Sequence, residues 1–280
     1  MKTADNVALC VRNFSKHYGD GCAYCMDEDA VLDRNICPEC GTIHACSDIS
    51  FDLHKGEILG IVGESGSGKS TLMKMLYFDQ EASSGEYHLA DFLDGDRDVL
   101  KLSSRQKRQI RNEILGMVYQ NPVYGLKMEF SAISNIAEKL IASGSRNVGD
   151  MTATGDHFLG KVNIPLNRKY EPPVNFSGGM QQRVQIAKAL SNYPPVLLLD
   201  EVTTGLDLSV QADVLELIKE IQRELGISMI VVSHDLAIIR MLCDRTMVML
   251  DGSVIESGIT DQILEDPQHA YTQQLVYSIL

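Results

Sequence analysis

The run GEILGIVGESGSGKSTL, residues 56–72, holds in sequence a buried strand, a glycine-rich turn and the opening of a helix. GEILGIVG (56–63) is a compact apolar stretch entered and left through glycine, the pattern of a parallel strand covered on both faces. Gly63-Glu64-Ser65-Gly66-Ser67-Gly68-Lys69-Ser70 then fits the phosphate-binding loop GxxxxGK[ST], with a helix pattern following from Lys69 to about Phe78. The glycines let the backbone wrap closely enough for its N–H groups to face phosphate oxygens, and the helix start adds positive potential. Lys69 is placed to reach the β- and γ-phosphates and the Ser70 hydroxyl to ligate Mg²⁺, with Thr71 in the same nucleotide-binding set.

Working outward, VLLLDE (196–201) is a second apolar strand, and it ends in two carboxylates. Asp200 suits the metal, whose charge it compensates, and Glu201 suits the attacking water, whose proton it must accept. Residues 7–14 and 47–54 alternate as short strands, and PPVLLLD (194–200), ISMIVVS (227–233), TMVML (246–250) and SVIES (253–257) read as further strands. The helix expected over 208–225 puts Val210, Val214, Leu217, Ile218, Ile221 and Leu225 on one face. Strands alternating with helices imply an α/β fold built on a sheet with helices packed against it. The polar, helix-like middle, about 91–175, shows no long apolar strand and is expected to form a helical subdomain inserted into that fold.

Composition narrows the function. The chain has 280 residues, with 25 Lys and Arg against 38 Asp and Glu, a formal charge of −13. Such a balance excludes a nucleic-acid partner, which needs a basic footprint. SRQKRQIR (104–111) is read as a solvated helix face. No apolar run approaches the ~18 residues of a membrane span, so direct membrane insertion is not expected. The opening MKTADNVALCVRNF lacks the apolar stretch of a signal peptide, so the expected compartment is cytoplasmic. A phosphate-bearing ligand is itself anionic, so it would be bound by Lys69, loop amides and Mg²⁺, not by net charge.

Several short motifs in fixed order give the chain a family likeness. Tyr18, Gln120 in MVYQNP, FSGGMQQR (176–183), TGLD (204–207) and His234 in VVSHD accompany the phosphate loop and the carboxylate pair. With them, residues 1–280 resemble an ATP-binding-cassette (ABC) ATPase almost throughout, apart from about 19–46. The resemblance implies a P-loop NTPase with a RecA-like mixed-sheet core and a helical subdomain, hydrolysing ATP to ADP and phosphate with Mg²⁺. It implies that Tyr18 stacks on adenine and that Gln120 joins Ser70 and Asp200 at the magnesium. His234 would hold the γ-phosphate beside the base Glu201, with Lys69 and Gln120 completing the catalytic group. Two copies would meet head to tail as an ATP-driven homodimer, with Ser177, Gly178 and Gly179 cradling the partner's γ-phosphate and Asp207 contacting the partner. Val202 departs from the pattern, since most members of the family carry proline after the base; both carboxylates remain, so hydrolysis is expected to survive, and Val202 is the one hint of a nucleotide-responsive scaffold with little hydrolysis.

Two branches of the family compete. GIVGESGSGKSTL (60–72) and DPQHAYTQQLVYSIL (266–280) look like the ATPase subunits of oligopeptide and dipeptide importers, whose partners are permeases. QNPVYGLKMEFSAISNIAEKLIASGSRNVGD (120–150), the spacing to Ile164-Pro165 and SVQADVLELI (209–218) are instead similar to the ATP-binding K subunit of the carbon–phosphorus lyase system for phosphonate breakdown. The second likeness is favoured, and it implies docking on soluble lyase core subunits.

Six of the seven cysteines fall within the first 46 residues. Cys22-Ala-Tyr-Cys25 and Cys37-Pro-Glu-Cys40 form two CxxC knuckles, which put four thiolates within reach of one tetrahedral ion. Reduced cytoplasmic thiols in this pattern hold metal more often than they form disulfides. Structural Zn²⁺ is the first choice, and an iron–sulfur centre uses the same ligands. The segment 19–46 is therefore expected to be a small Cys-rich metal-binding insertion, a candidate docking element for a partner. His44 and Cys46 are possible substitute ligands, and Cys10 and Cys243 read as packing residues.

Overall fold

The computed structural model describes residues 6–27 and 30–277. In chain order it forms β1 (Val7–Tyr18), β2 (Ile43–His54), β3 (Ile58–Val62), α1 (Lys69–Leu76) and β4 (Ser84–Leu89). There follow α2 (Ser104–Glu113), β5 (Leu115–Val118), α3 (Pro122–Gly125), α4 (Ala132–Ala142), α5 (Val148–Lys161), α6 (Gly178–Leu190) and β6 (Val196–Asp200). The chain continues with α7 (Leu208–Leu225), β7 (Ser228–Val232), α8 (Leu236–Leu242), β8 (Arg245–Leu250), β9 (Ser253–Ile259), α9 (Thr260–Glu265) and α10 (Ala270–Tyr277). Two compact units result, one from the residues up to Leu102 together with those from Val231 onward, the other from Ser103–Ile230.

In the first unit β1 is the centre of a three-stranded antiparallel sheet, β2-β1-β4. Phe14 of β1 and Tyr87 of β4 are fully buried, with ring centroids 5.9 Å apart, and Leu9, Ile49 and Leu53 complete the apolar face. The Tyr87 hydroxyl, buried among them, donates to the Leu76 carbonyl at 3.2 Å and so ties the sheet to the end of α1. A mixed arrangement lies in the same unit, with β3 parallel to β8 and β8 antiparallel to β9.

The strands 7–14 and 47–54 are longer than their apolar patterns. β1 reaches Tyr18 and β2 begins at Ile43, because ladder hydrogen bonds continue to the pair Tyr18↔Ile43 through polar residues. Residues 43–46, expected in the Cys-rich segment, are thus strand. The helix expected from Lys69 to about Phe78 stops at Leu76, and Phe78 has φ +60°.

In the second unit β5 lies parallel to β6, from Leu115↔Val196 to Val118↔Leu199. This four-residue strand sits inside the polar middle, where it is too short for a periodicity to show. Helix α7 spans 208–225 as anticipated, with Val214, Leu217, Ile218 and Ile221 buried, and Gly226 ends it at φ +62°. The loop before α4 is organised by Asn135, fully buried, which accepts from Lys127 N (2.8 Å) and donates to the Lys127, Phe130 and Ser131 carbonyls.

One turn further along α4, the buried Lys139 ammonium donates to the Arg111 and Leu115 carbonyls, at 2.5 and 3.1 Å. It closes the end of α2 and the start of β5, the strand that leads to Gln120. Burial pushes its pKa down to about 8, with Lys188 and Arg111 adding like charge. The unfolded chain keeps this proton to ~10.4, so the unfolded state binds more protons in between and stability must rise with pH across that window. Below about 8 the cost of the buried charge is fully present. In urea denaturation of wild type and Lys139→Met, the stability difference should move in favour of wild type as pH rises from about 8 towards 10. A flat difference would show that Lys139 titrates normally.

Candidate active site and metal centre

The phosphate loop joins β3 to α1 in the first unit. Gly68, at φ +101°, leaves no room for a side chain, since a Cβ there would stand 2.1 Å from the Ala45 carbonyl oxygen of β2. Gly63 is equally confined, with Met249 O at 2.1 Å from a Cβ position. Lys69 is buried, and its ammonium donates to the carbonyls of Gly63 and Glu64, both at 2.7 Å, and to Ser67 Oγ at 3.3 Å. Those bonds hold the charge at the centre of the loop. Glu64, Ser65 and Gly66 are exposed, and Ser70 and Thr71 are half-buried in the first turn of α1, which carries no acidic residue to offset its positive potential.

His234 is exposed just beyond β7, in the same unit. Its neighbour Ser233 donates its N–H to the Ile61 carbonyl of β3 at 3.2 Å, and Asp235 caps α8 through Ala237 N at 2.8 Å, so the histidine stands on a fixed turn. Tyr18, at the exposed end of β1, donates its hydroxyl to Gln80 Oε1 at 2.7 Å. One contact of the loop had no sequence signal. The Tyr271 hydroxyl of α10 accepts the Glu64 N–H at 2.9 Å, and burial pushes its pKa up.

The second unit carries the carboxylates. Asp200 is buried at the end of β6, and Glu201 follows with φ +46°, a left-handed backbone at a non-glycine residue. Gln120 Nε2 donates to Glu201 Oε2 at 2.8 Å, and Thr204 Oγ1 to the same oxygen at 3.2 Å. Val202 is buried. The loop around it is braced by Thr204 N→Glu201 O, Leu206 N→Thr203 O and Gln211 Nε2→Thr203 O, at 3.1, 3.2 and 3.1 Å. Asp207 follows at the N-cap of α7, exposed, without its side chain capping the helix.

Ser177 is the N-cap of α6, accepting Met180 N at 3.4 Å, and Gly178 lies exposed at the helix start. Gly179 is buried against α7, where a Cβ would meet Val210 Cγ1 at 2.6 Å. Further along α6, Gln185 holds the backbone of Tyr119 from both sides: its Oε1 accepts Tyr119 N at 2.9 Å and its Nε2 donates to Tyr119 O at 3.0 Å. Gln182 Nε2 adds 3.3 Å to the same carbonyl. The helix that opens on Ser177 therefore positions the residue next to Gln120. Neither Tyr119 nor Gln185 stood out in the sequence, since a buried amide on a helix has no distinctive spacing.

The four knuckle cysteines come together in the first unit. Sγ atoms of Cys22, Cys25, Cys37 and Cys40 all lie within 4.8 Å of one another, with Cys22–Cys25, Cys22–Cys37 and Cys25–Cys40 each at 3.7 Å. Backbone N–H groups of Cys22 and Cys40 point at Cys25 and Cys37 Sγ, at 3.3 and 3.5 Å. Thr42, whose Oγ1 lies 3.1 Å from Cys40 Sγ, holds that thiol down to about 6, through its side chain first and then its backbone. This donor set is what a tetrahedral thiolate-bound ion requires. Cys46 is elsewhere, buried on β2 with Sγ 3.6 Å from Gly68 O, and burial pushes its thiol up to about 12. Cys10 and Cys243 are buried as well. His44 pairs with His17 across β1 and β2, ring centroids 6.1 Å apart, outside the thiol group.

A chain with these two sets of residues is a nucleotide-hydrolysing cassette. The ABC transporter family profile matches residues 46–204, and the chain belongs to that family; it is an ATP-binding subunit and an ATPase. It is 47% identical over 234 residues to the phosphonates utilization ATP-binding protein PhnK of Escherichia coli K12, covering 84% of this chain and 91% of that protein. To the oligopeptide transport ATP-binding protein OppD of Bacillus subtilis 168 it is 36% identical over 241 residues, 85% of this chain and 67% of that one. The dimeric cassette MJ0796, solved with ADP and Pi in a post-hydrolysis state, superposes with a TM-score of 0.75 at 26% identity, over 90% of this chain and 98% of that one. CbiO1 from Clostridium perfringens, part of the transporter complex cbiONQ, gives 0.75 at 27% identity, over 94% and 92%. Among the described residues no helix is long and apolar enough to cross a membrane.

The grip on Tyr119 generates a kinetic prediction. Gln185→Leu removes both of its bonds, leaves Gln182 alone on the Tyr119 carbonyl and loosens the backbone that aims Gln120 at Glu201. Steady-state ATPase assays should show kcat lowered about tenfold or more, from misplacement alone. Binding of a fluorescent ATP analogue should hold, because Gln185 touches none of the phosphate loop. An unchanged kcat would show that Gln120 is positioned by other means.

Proposed function

We propose that this chain is the ATPase subunit of a carbon–phosphorus lyase assembly for phosphonate catabolism, working in the cytoplasm. The observation that carries the reading is the 47% identity to PhnK, spread over nearly the whole of both chains, against 36% to the importer subunit OppD. Two copies associate head to tail around ATP, with Ser177, Gly178 and Gly179 of each offering the open start of α6 to the other's γ-phosphate. Tyr18 stacks on adenine, and Asp207, uncommitted to its helix cap, reaches the partner.

The residues divide the chemistry. Lys69 and the loop amides hold the phosphates, and His234 hydrogen-bonds the γ-phosphate. Ser70, Gln120 and Asp200 offer the hard oxygen donors Mg²⁺ takes, and the ion when bound neutralises charge building on the phosphates. Glu201 accepts the proton of the attacking water, its carboxylate oriented by Gln120 and Thr204. Glu201→Gln should lower turnover at least about a hundredfold, the usual contribution of a general base. ATP binding should persist in that variant, and undiminished phosphate release from it would show that the base lies elsewhere.

Cys22, Cys25, Cys37 and Cys40 hold one structural Zn²⁺. Elemental analysis of the purified full chain should find about one zinc per chain. Iron with a visible charge-transfer spectrum would make it an iron–sulfur centre, and no metal would remove the site.

The importer reading keeps one specific support, the C-terminal run 266–280. Affinity purification of the full chain from cells using a phosphonate as sole phosphorus source separates the two. Lyase core subunits should co-purify, and permease subunits in their place would overturn the proposal.

A further inference from the structure

The Cys-rich lobe is attached to the phosphate loop by a short mechanical path. Its first ligand, Cys22, lies just after Tyr18, and its last, Cys40, just before Ile43, the two residues that end the β1–β2 ladder as a pair. The lobe also adds directly to the start of β2. Ile36 bridges Ile43, His44 N donates to Asn35 O at 2.7 Å, and Cys37 N donates to Thr42 O at 2.9 Å. On the other flank Gly21 N donates to Thr42 Oγ1 at 3.1 Å.

The next residues of β2 are the back wall of the phosphate loop. The Ala45 carbonyl oxygen would be 2.1 Å from a Cβ at Gly68, Cys46 Sγ lies 3.6 Å from Gly68 O, and Ser47 N donates to Gly252 O at 2.8 Å. Gly252 N in turn donates to Ser67 O at 3.2 Å. Three contacts thus run from β2 residues 45–47 to the loop, two direct, from Ala45 and Cys46, and one through the turn between β8 and β9.

The lobe has almost nothing apolar to hold it. Met26, Val31 and Ile36 are exposed, at 61%, 76% and 43%, and its buried apolar side chains among the described residues are Cys25 and Cys37, both in the thiol cluster. A loop of this kind is ordered by its ion, since metal-binding free energy becomes folding free energy where no core exists.

We propose that the metal-loaded lobe is a positioning element for the phosphate loop: an ion at Cys22, Cys25, Cys37 and Cys40 fixes the closed end of the β1–β2 pair and, through Ala45 and Cys46, the placement of Gly68, so that nucleotide affinity depends on the ion. This rests on the metal reading above. The long β1–β2 ladder survives without the ion, so affinity falls and is not abolished. With Tyr18, the proposed adenine-stacking residue, on the same strand end, the loss is about tenfold.

The test uses the full chain in three states: zinc-loaded, stripped by chelator, and stripped then reloaded with Zn²⁺ alone. Metal content, affinity for a fluorescent ATP analogue, KM and kcat for ATP, and amide exchange are measured in each. Stripping should weaken nucleotide binding and raise KM about tenfold, with kcat changed much less, and should speed exchange at residues 43–47 and 66–69; zinc should restore all of these. Cys22→Ser/Cys37→Ser should match the stripped state and ignore zinc. Replacing residues 19–42 by Asn-Gly closes β1 onto β2 covalently, and that variant should bind nucleotide tightly without metal. One zinc per chain with affinity unmoved by stripping overturns the inference and leaves the metal site standing. A chain that binds no metal overturns both.

Discussion

The Ala45 carbonyl pressed against Gly68 is the constraint around which the first unit is arranged. A backbone loop that offers its N–H groups to phosphate has to be wrapped tightly, and a tight wrap needs a surface to wrap against. β2 is that surface. Any side chain at Gly68 would collide with it, so the left-handed glycine is dictated as much by the strand behind the loop as by the ligand in front of it. Lys69, folded onto the Gly63 and Glu64 carbonyls, closes the same turn from inside, and Tyr271 pins the Glu64 N–H from the C-terminal helix.

A comparable constraint organises the second unit, although it is made of amides and not of close packing. The Tyr119 backbone is held on both its donor and its acceptor by Gln185, a fully buried side chain whose alternative is to leave polar atoms unsatisfied. That cost makes the link stiff. It binds the strand end carrying Gln120 to the helix opening on Ser177, and Gln120 in turn meets a Glu201 whose backbone is already in an uncommon conformation. Strain at Glu201 persists because the turn around it, which includes the buried Val202, is cross-linked by Thr204, Leu206 and Gln211.

What could be read from the sequence was what chemistry enforces locally. The phosphate loop, strand 196–200 and helix 208–225 are set by glycine spacing and by apolar periods contained in one segment. The gathering of the knuckle cysteines was equally legible, because two CxxC pairs leave few ways of bringing four thiols together. The start of β2 at Ile43 was not, since its polar residues are strand only through pairing with β1. β5, Gln185 and Tyr271 were hidden for the same reason: each owes its role to a partner distant in sequence. The polar middle looked wholly helical because a four-residue strand has too few positions to show alternation.

The charge and the cysteines prove to be one question. Residues 19–42 hold six carboxylates (Asp20, Asp27, Glu28, Asp29, Asp33, Glu39) and one arginine (Arg34), so 1 − 6 = −5 of the chain's −13 sits in this lobe. Four thiols crowded within 4.8 Å cannot all ionise in such a field unless a cation is among them. The same acidity, which has no bearing on a nucleotide proposed to be held by local donors, thus favours a divalent ion at the cysteines. It also opposes collapse of an ion-free lobe, because its like charges repel and it has no apolar core to hold them together. An acidic loop is ordinarily a solvated spacer. On the proposed metal reading, the thiolates would make it a segment compact with an ion and with little reason to be compact without one, directly beside the strand that backs the phosphate loop.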